Sequence, residues 1–315
     1  MSKIKDTLEK ETAKKIAEAE LLMDEPKKGY RFIDEKKQHL HTLDGKPLMG
    51  TTTVVGEVLQ PPLAWYGSGK AVELLGVRNP KELTLLKNGK LPQEAKELLL
   101  AGLVDAHRAI KDLDTDSYLE LVMKAYRNHS EYKDTRAEEG DTLHDTLEKY
   151  VKEMITANKG NPYKPTVPFE DDRINKFIDW AVENVEKFLF AECYCYSEVM
   201  WMGGKFDLIF TGKDGKTYIG DYKSAKESYH KNWVQMALYD KQIIENGVLD
   251  KEGNRVDTWT EKEGEENKLK GGVIINGYAL FPFGGKIVPD YRFNCMDYWK
   301  AADGVLANYK LINQK

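Results

Sequence analysis

Two runs, Lys205-Phe206-Asp207-Leu208-Ile209-Phe210-Thr211 and Thr217-Tyr218-Ile219-Gly220-Asp221-Tyr222-Lys223, joined across Lys213-Asp214-Gly215, decide how this chain is read. Both are rich in β-branched and aromatic residues and end at turn formers, so they are expected as neighbouring strands. Folding about Asp214-Gly215 brings 207 and 221 close to opposite each other, where their side chains meet. Asp221 and Lys223 lie two apart and project to one face of their strand, with Tyr222 on the other. Two carboxylates and an ammonium then share one place, and two carboxylates can hold a hard divalent cation through oxygen ligands. An Asp-x-Lys triplet alone says little, since about one is expected by chance at ordinary charged-residue frequencies. Of the four present, two sit in Asp-Gly-Lys turns and Asp34-Glu35-Lys36 opens a solvated run; only Asp221-Tyr222-Lys223 closes a strand-like segment. A surface ion-pair cluster at a strand end is the competing reading of these residues.

Working outward, a third strand is expected before them, from Tyr194 to Met202, with Gly203-Gly204 as the turn. An amphipathic helix from Asp171 to Phe190 precedes it, with acidic residues at its start as helix N-termini favour. After Lys223, helical spacing returns from Trp233 to Ile244. A charged and solvated segment then runs from Asp250 to Lys270, Gly272 to Phe281 reads as a buried strand, and Met296 to Leu311 as a final helix. The order from Asp171 is α-β-β-β-α-β, a mixed sheet flanked by helices in the α/β (α+β) class. Upstream, Tyr30 to Val55 is expected as a β-hairpin with a turn at Asp44-Gly45 and a β-branched run Thr51 to Val55. Leu63 to Ile155 is helical in period, with breaks near Asn79-Pro80, Asn88-Gly89 and Asp112 to Asp116. Three parts follow: a charged lead-in over 1–29, a hairpin with a helical subdomain over 30–135, and a core over 136–315.

Composition sets limits on this picture. The chain has 315 residues, 41% hydrophobic and 31% charged, enough for one substantial core or two modest ones. The apolar stretch Val273 to Phe283 is interrupted by Asn276 and is far shorter than the roughly 20 residues that span a bilayer. Met1 to Glu20 alternates lysine with glutamate and lacks the apolar core of a secretory signal. Three cysteines, Cys193, Cys195 and Cys295, suit reduced thiols in a cytosol and fall one short of a four-cysteine metal site. A formal net charge of −5 argues against indiscriminate coating of nucleic acid, although a local basic groove can work on an acidic protein.

Five short motifs, taken together and in order, carry a resemblance. Gly140-Asp141-Thr142-Leu143-His144 matches a helical G-x-x-x-H motif. Ser197-Glu198 followed by Gly204-Lys205-Phe206-Asp207 resembles an E…G-x-x-D strand pair. Tyr218 to Ser224 matches a D-x-K strand, and Gln235-Met236-Ala237-Leu238-Tyr239 a Q-x-x-x-Y helix. The chain thus resembles the RecB-like exonuclease branch of the PD-(D/E)XK nuclease superfamily over about Arg136 to Tyr239. The subgroup without an iron-sulfur cluster is implied because the four cysteines of that cluster are lacking, and a phage-type form is implied by the N-terminal part. More loosely, the hairpin with a D-G turn, the Thr-rich run and Trp65 are similar to the N-terminal part of phage-encoded members, whose helices would cover the active site.

The resemblance implies a restriction-endonuclease-like core and a divalent-metal-dependent DNA exonuclease. His144, Asp207, Asp221 and the main-chain carbonyl of Tyr222 would hold Mg²⁺ or Mn²⁺, one or two ions per site. Lys223 would be the catalytic lysine, with Glu198 a further acidic group near the metals and Gln235 beside them. His144 alone is equally a polar residue on an amphipathic helix, and Tyr239 a packing residue. Arg136, Lys205, Lys226 and Lys231, with Gln235 and Tyr239, would contact DNA. The implied setting is phage DNA recombination or replication in the host cytoplasm, on DNA ends or single strands, beside a strand-annealing or single-strand-binding protein, away from membranes. A structure-specific endonuclease with the same centre, and a catalytically silent nucleic-acid-binding protein on the same fold, are the alternatives. His39, His41, His107, His129 and His230 match no motif.

Overall fold

The computed structural model describes residues 29–35, 38–59, 72, 80–259, 270–285 and 287–313. The chain divides into two compact units, Met1–Leu59 with Leu143–Lys315, and Gln60–Thr142. The N-terminal hairpin therefore belongs with the C-terminal part of the chain, whereas the sequence grouped it with the helices. Among the described residues no helix is long and apolar enough to cross a membrane.

In the larger unit, β1 (Tyr30–Glu35) and β2 (Gln38–Leu43) form an antiparallel hairpin whose closing pair is Glu35↔Gln38; the expected turn at Asp44-Gly45 instead joins β2 to the two-residue β3 (Lys46–Pro47). β4 (Met49–Gly50) follows, and α1 (Thr51–Val58) then replaces the strand that the β-branched run Thr51 to Val55 suggested. Tertiary packing overrides propensity here. As a helix the run buries Thr51, Val54 and Val55 together, which a strand would divide between its faces. Thr51 also donates its hydroxyl to the Gly203 carbonyl at 3.1 Å and accepts from the Gln242 side chain at 2.8 Å.

The smaller unit contains α2 (Pro80–Lys87), α3 (Gln93–Lys111) and the start of α4 (Thr115–Ala157), with the expected breaks at Asn88-Gly89 and within Asp112 to Asp116; Asn79, before Pro80, lies outside the described residues. Asp114 accepts from the Ser117 amide at 2.8 Å, a side-chain cap at the start of α4. Trp65 and the lead-in before Gly29 lie outside the described residues.

α5 (Asp172–Asn184) begins where Asp171 accepts from the Arg173 amide, and Ile174, Phe177, Ile178 and Ala181 form its buried stripe. It stops six residues before the expected Phe190, and β5 (Val185–Ser197) starts at once. The apolar residues Val185, Phe188 and Ala191, three apart, continue a helical rhythm by coincidence; they bury because β5 is irregular, with register shifts between Val185 and Phe190. β6 (Met202–Gly212) pairs along β5, so Gly203-Gly204 lies inside a strand and the turn is Glu198 to Trp201. β7 (Thr217–Lys223) has the expected bounds, and α6 (His230–Asn246) follows it. The charged segment is not wholly solvated: Asp257 is fully buried, paired with Arg255 and accepting from the Val273 amide. β8 (Thr258–Trp259) and β9 (Lys270–Gly271) pair with each other, and residues 260–269 lie outside the described residues. β10 (Gly277–Pro282), β11 (Asp290–Arg292) and α7 (Cys295–Asn313) complete the unit.

The principal sheet runs β11-β10-β7-β6, with β10 parallel to β7 and the other neighbours antiparallel. β5 lies along one edge of β6; the opposite edge takes β7 at its far end and β4, in parallel, at Met202 and Gly203. This is a mixed α/β architecture in three layers. One core packs Val54 of α1, Val234, Met236, Ala237 and Leu238 of α6 and Leu306 of α7 against the sheet. A second core packs Leu147 and Val151 of α4 and Phe177 and Trp180 of α5 against the other face. β7, buried on both sides, is the middle of the stack, as an apolar Tyr-Ile-Gly run with paired neighbours requires.

Thr51→Val keeps shape but strips Gln242, itself fully buried, of one side-chain partner. It is expected to cost about 1–3 kcal/mol in urea or thermal unfolding. A variant with wild-type stability would show that the contact between α1 and α6 is incidental.

Candidate active site at the end of β6 and β7

Leu208↔Gly220 is the last pair of the β6–β7 ladder, and Asp207 and Asp221 are the next positions on the two strands, close to opposite as the turn at Asp214-Gly215 predicted. Asp207 Oδ2 accepts the Tyr222 backbone N–H at 2.5 Å, so the carboxylate of one strand clamps the main chain of the next. Asp221, on the α6 face, pairs with Lys223 Nζ at 2.5 Å, while the Tyr222 ring turns into the opposite core. Lys223 Nζ also stands 3.4 Å from Gln235 Oε1, and Gln235 donates its amide to the Tyr239 hydroxyl at 2.8 Å. The four-residue spacing on α6 thus builds a chain of contacts from Tyr239 through Gln235 to the lysine.

His144 reaches the same place from α4. Its Nδ1 lies 4.0 Å from Asp207 Oδ2, and its ring meets the Tyr222 ring edge-on with centroids 5.5 Å apart. Two ligands of an octahedral cation at about 2.1 Å stand roughly 3–4.2 Å apart, so this spacing fits a shared Mg²⁺ or Mn²⁺. Among the described residues no three His, Cys, Asp or Glu groups converge closely enough to hold a metal. Asp221, the third expected ligand, is ion-paired with Lys223.

Charge explains the electrostatics. Burial, and next the Asp221 carboxylate, push Asp207 up to about 7, against the opposing pull of Lys223. Burial pulls the Lys223 ammonium down, but Asp221 and Asp207 outweigh it and the net shift is upward. Of the three carboxylates here, Asp221 has Lys223 and Glu192 has Lys205, while Asp207 sits between them with a backbone N–H. An additional cation beside Asp207 would balance that surplus.

Glu192 went unnoticed in the sequence. It occupies the position on β5 between the pairs Ala191↔Leu208 and Cys193↔Phe206, directly across from Asp207. Burial, and next Asp207, raise it to about 7, with Lys205 opposing. The residue expected in this role, Glu198, is six residues further along, in the exposed β5–β6 turn, where its amide is held by Glu245. At about 3.3 Å per residue it lies on the order of 15–20 Å from Asp207 along the strands and does not join the site.

The expected DNA contacts divide. Lys226 is exposed and Lys231 half-buried at the start of α6, neither with an ion pair among the described residues. Lys205 is engaged by Glu192. Tyr239 is buried, so its expected contact with a bound strand is corrected to packing: a Cβ at Gly204 would come within 2.4 Å of its ring. That close approach explains the glycine of the G-x-x-D run. Gln235 is also buried and acts toward Lys223. Arg136 falls on α4 in the smaller unit, and its side chain lies outside the described residues. The cysteines are free thiols, and burial pushes Cys193 up to about 12.

No protein-family model matches the chain, and a search of curated proteins finds no match.

A carboxyl raised in the folded protein binds its proton more tightly than in the unfolded chain, so it opposes folding as pH climbs from about 4 toward 7. In EDTA, the melting temperature of Asp207→Asn relative to wild type is expected to rise between pH 5 and pH 8. A difference flat with pH would put Asp207 in the ordinary carboxylate range.

Proposed function

We propose that this protein is a divalent-metal-dependent deoxyribonuclease of the RecB-like PD-(D/E)XK kind, with a restriction-endonuclease-like core, that acts as an exonuclease on DNA ends. The observation that carries the reading is the meeting of His144, Asp207, Asp221, Lys223 and Gln235, drawn from four separate elements, where the pairing of β6 with β7 ends. A solvated ion-pair cluster does not require the buried Asp221 or the histidine and glutamine aimed at it.

His144, Asp207 and Asp221 would hold Mg²⁺ or Mn²⁺. Such an ion lowers the pKa of a bound water and neutralises charge on the phosphate. Lys223, kept an ammonium at neutral pH by its two carboxylate neighbours, is suited to stabilising the negative charge that grows on the phosphate oxygens rather than to removing a proton. Gln235 orients that ammonium, and Tyr239 orients Gln235. The order of elements, α5-β5-β6-β7-α6-β10 with short additions, supports the same family. Exonuclease action, a place in phage recombination or replication, and work in a cytoplasm beside a strand-annealing protein follow from the resemblance.

The test is cleavage of end-labelled linear and closed circular single-stranded DNA, and of duplex, with Mg²⁺, Mn²⁺ or EDTA. Linear DNA is expected to be degraded with metal alone and the circle spared. Folded Lys223→Ala and Asp221→Asn variants should be slower by about 10²–10³-fold or more. Cutting of the circle would favour the endonuclease alternative. A wild type inert with both metals, or variants as fast as wild type, would overturn the catalytic assignment in favour of a binding role.

A further inference from the structure

β5 and β6 keep one register from Ser197↔Met202 to Phe190↔Ile209, yet their side chains change sides midway. Phe206 packs in the core under α6, and Leu208, two residues on, in the core under α4 and α5. Cys193 and Ala191, their partners on β5, divide the same way. A regular strand sends residues two apart to one face, so the backbone must rotate at the positions between, Asp207 and Glu192. Glu192 takes up that rotation in the left-handed region, with φ 53°, where a residue with a Cβ is strained. Strained residues and strand irregularities gather beside active sites, where they re-aim a side chain.

What the rotation aims is a carboxylate. The Glu192 side chain is only 7% exposed and is ion-paired with Lys205, two residues before Asp207. Burying an ion pair is a poor way to gain stability, because desolvation offsets the attraction. The Lys205 ammonium has three donors, and its side chain remains 40% exposed, so it can serve Glu192 and a phosphate oxygen together.

We propose that Glu192 is a positioning residue of this centre: it acts through Lys205, fixing that ammonium beside Asp207 so that it meets the DNA phosphate where negative charge develops. The inference rests on the nuclease reading. Without Glu192, Lys205 swings into solvent; its charge still attracts DNA, but it no longer stands at the reacting group. Turnover then falls while affinity does not, because removing a carboxylate also lessens repulsion of the DNA backbone.

The experiment measures kcat and KM on linear single-stranded DNA, and DNA affinity in EDTA, for Glu192→Gln, Lys205→Gln and the double variant, with folding checked by thermal melting. Glu192→Gln is expected to lower kcat about 10–100-fold, as loss of a supporting partner commonly does, with KM and EDTA affinity unchanged or tighter. Lys205→Gln should lose a similar factor in kcat, and the double variant no more than the worse single one. Glu198→Gln, in the distant turn, should behave as wild type. A folded Glu192→Gln with wild-type kcat, or losses that multiply in the double variant, overturns the inference alone. If Glu192→Gln does not fold, Lys205→Gln with wild-type kcat overturns it. A wild type inert with every metal overturns the nuclease reading, and this inference with it.

Discussion

The Asp207 carboxylate, accepting the backbone N–H of Tyr222, ties β6 to β7 at the point where their ladder ends. Beyond Leu208↔Gly220 the strands no longer pair; β6 turns toward β4 and β7 continues toward Lys223. A half-buried carboxylate bonded to main chain sits in that fork. Everything at the site hangs from it: Asp221 and Lys223 face α6, Tyr222 faces α4 and α5, and His144 approaches over the Tyr222 ring. The same carboxylate carries a charge that burial and the neighbouring Asp221 oppose.

The fold was legible where local and tertiary preferences agree. β7 has its expected bounds because a Tyr-Ile-Gly run between two turn formers is satisfied only in the middle of a sheet, and the breaks between the described helices of the smaller unit fall at Asn-Gly and Asp-rich sequence that helices tolerate poorly. It was illegible where they conflict. Thr51 to Val55 reads as a strand by residue type, yet Gln242 and Gly203, nearly 200 and about 150 residues away, offer partners to Thr51 only in a helix. Val185 and Phe188 read as helix because the irregular start of β5 imitates a spacing of three.

The site shows the same division. Asp207, Asp221, Lys223 and Gln235 were readable because strand alternation, one turn and one helical spacing set their geometry. Glu192 was not, because its place depends on a register that was misread once the helix was carried to Phe190. Glu198 was chosen for its motif, and Tyr239 for its spacing, but neither motif nor spacing tells whether a side chain lies in a turn or beneath a glycine. The cost of such an approach between Gly204 and Tyr239 is visible only once α6 is laid on the sheet.

The parallel pairing of β4 with Met202 and Gly203 has a kinetic meaning. Thr51 and Gly203 are 152 residues apart, and closing a loop of that length costs about 4 kcal/mol of chain entropy before any contact repays it. The hairpin of β5 and β6 is local and can form early, whereas its edge beyond Leu208 must wait for a segment made long before. Until β4 arrives, the amides at the start of β6 stand uncovered, an open seam through which a nascent chain could pair with a stranger. Contact order, rather than stability, is therefore where this architecture is most exposed.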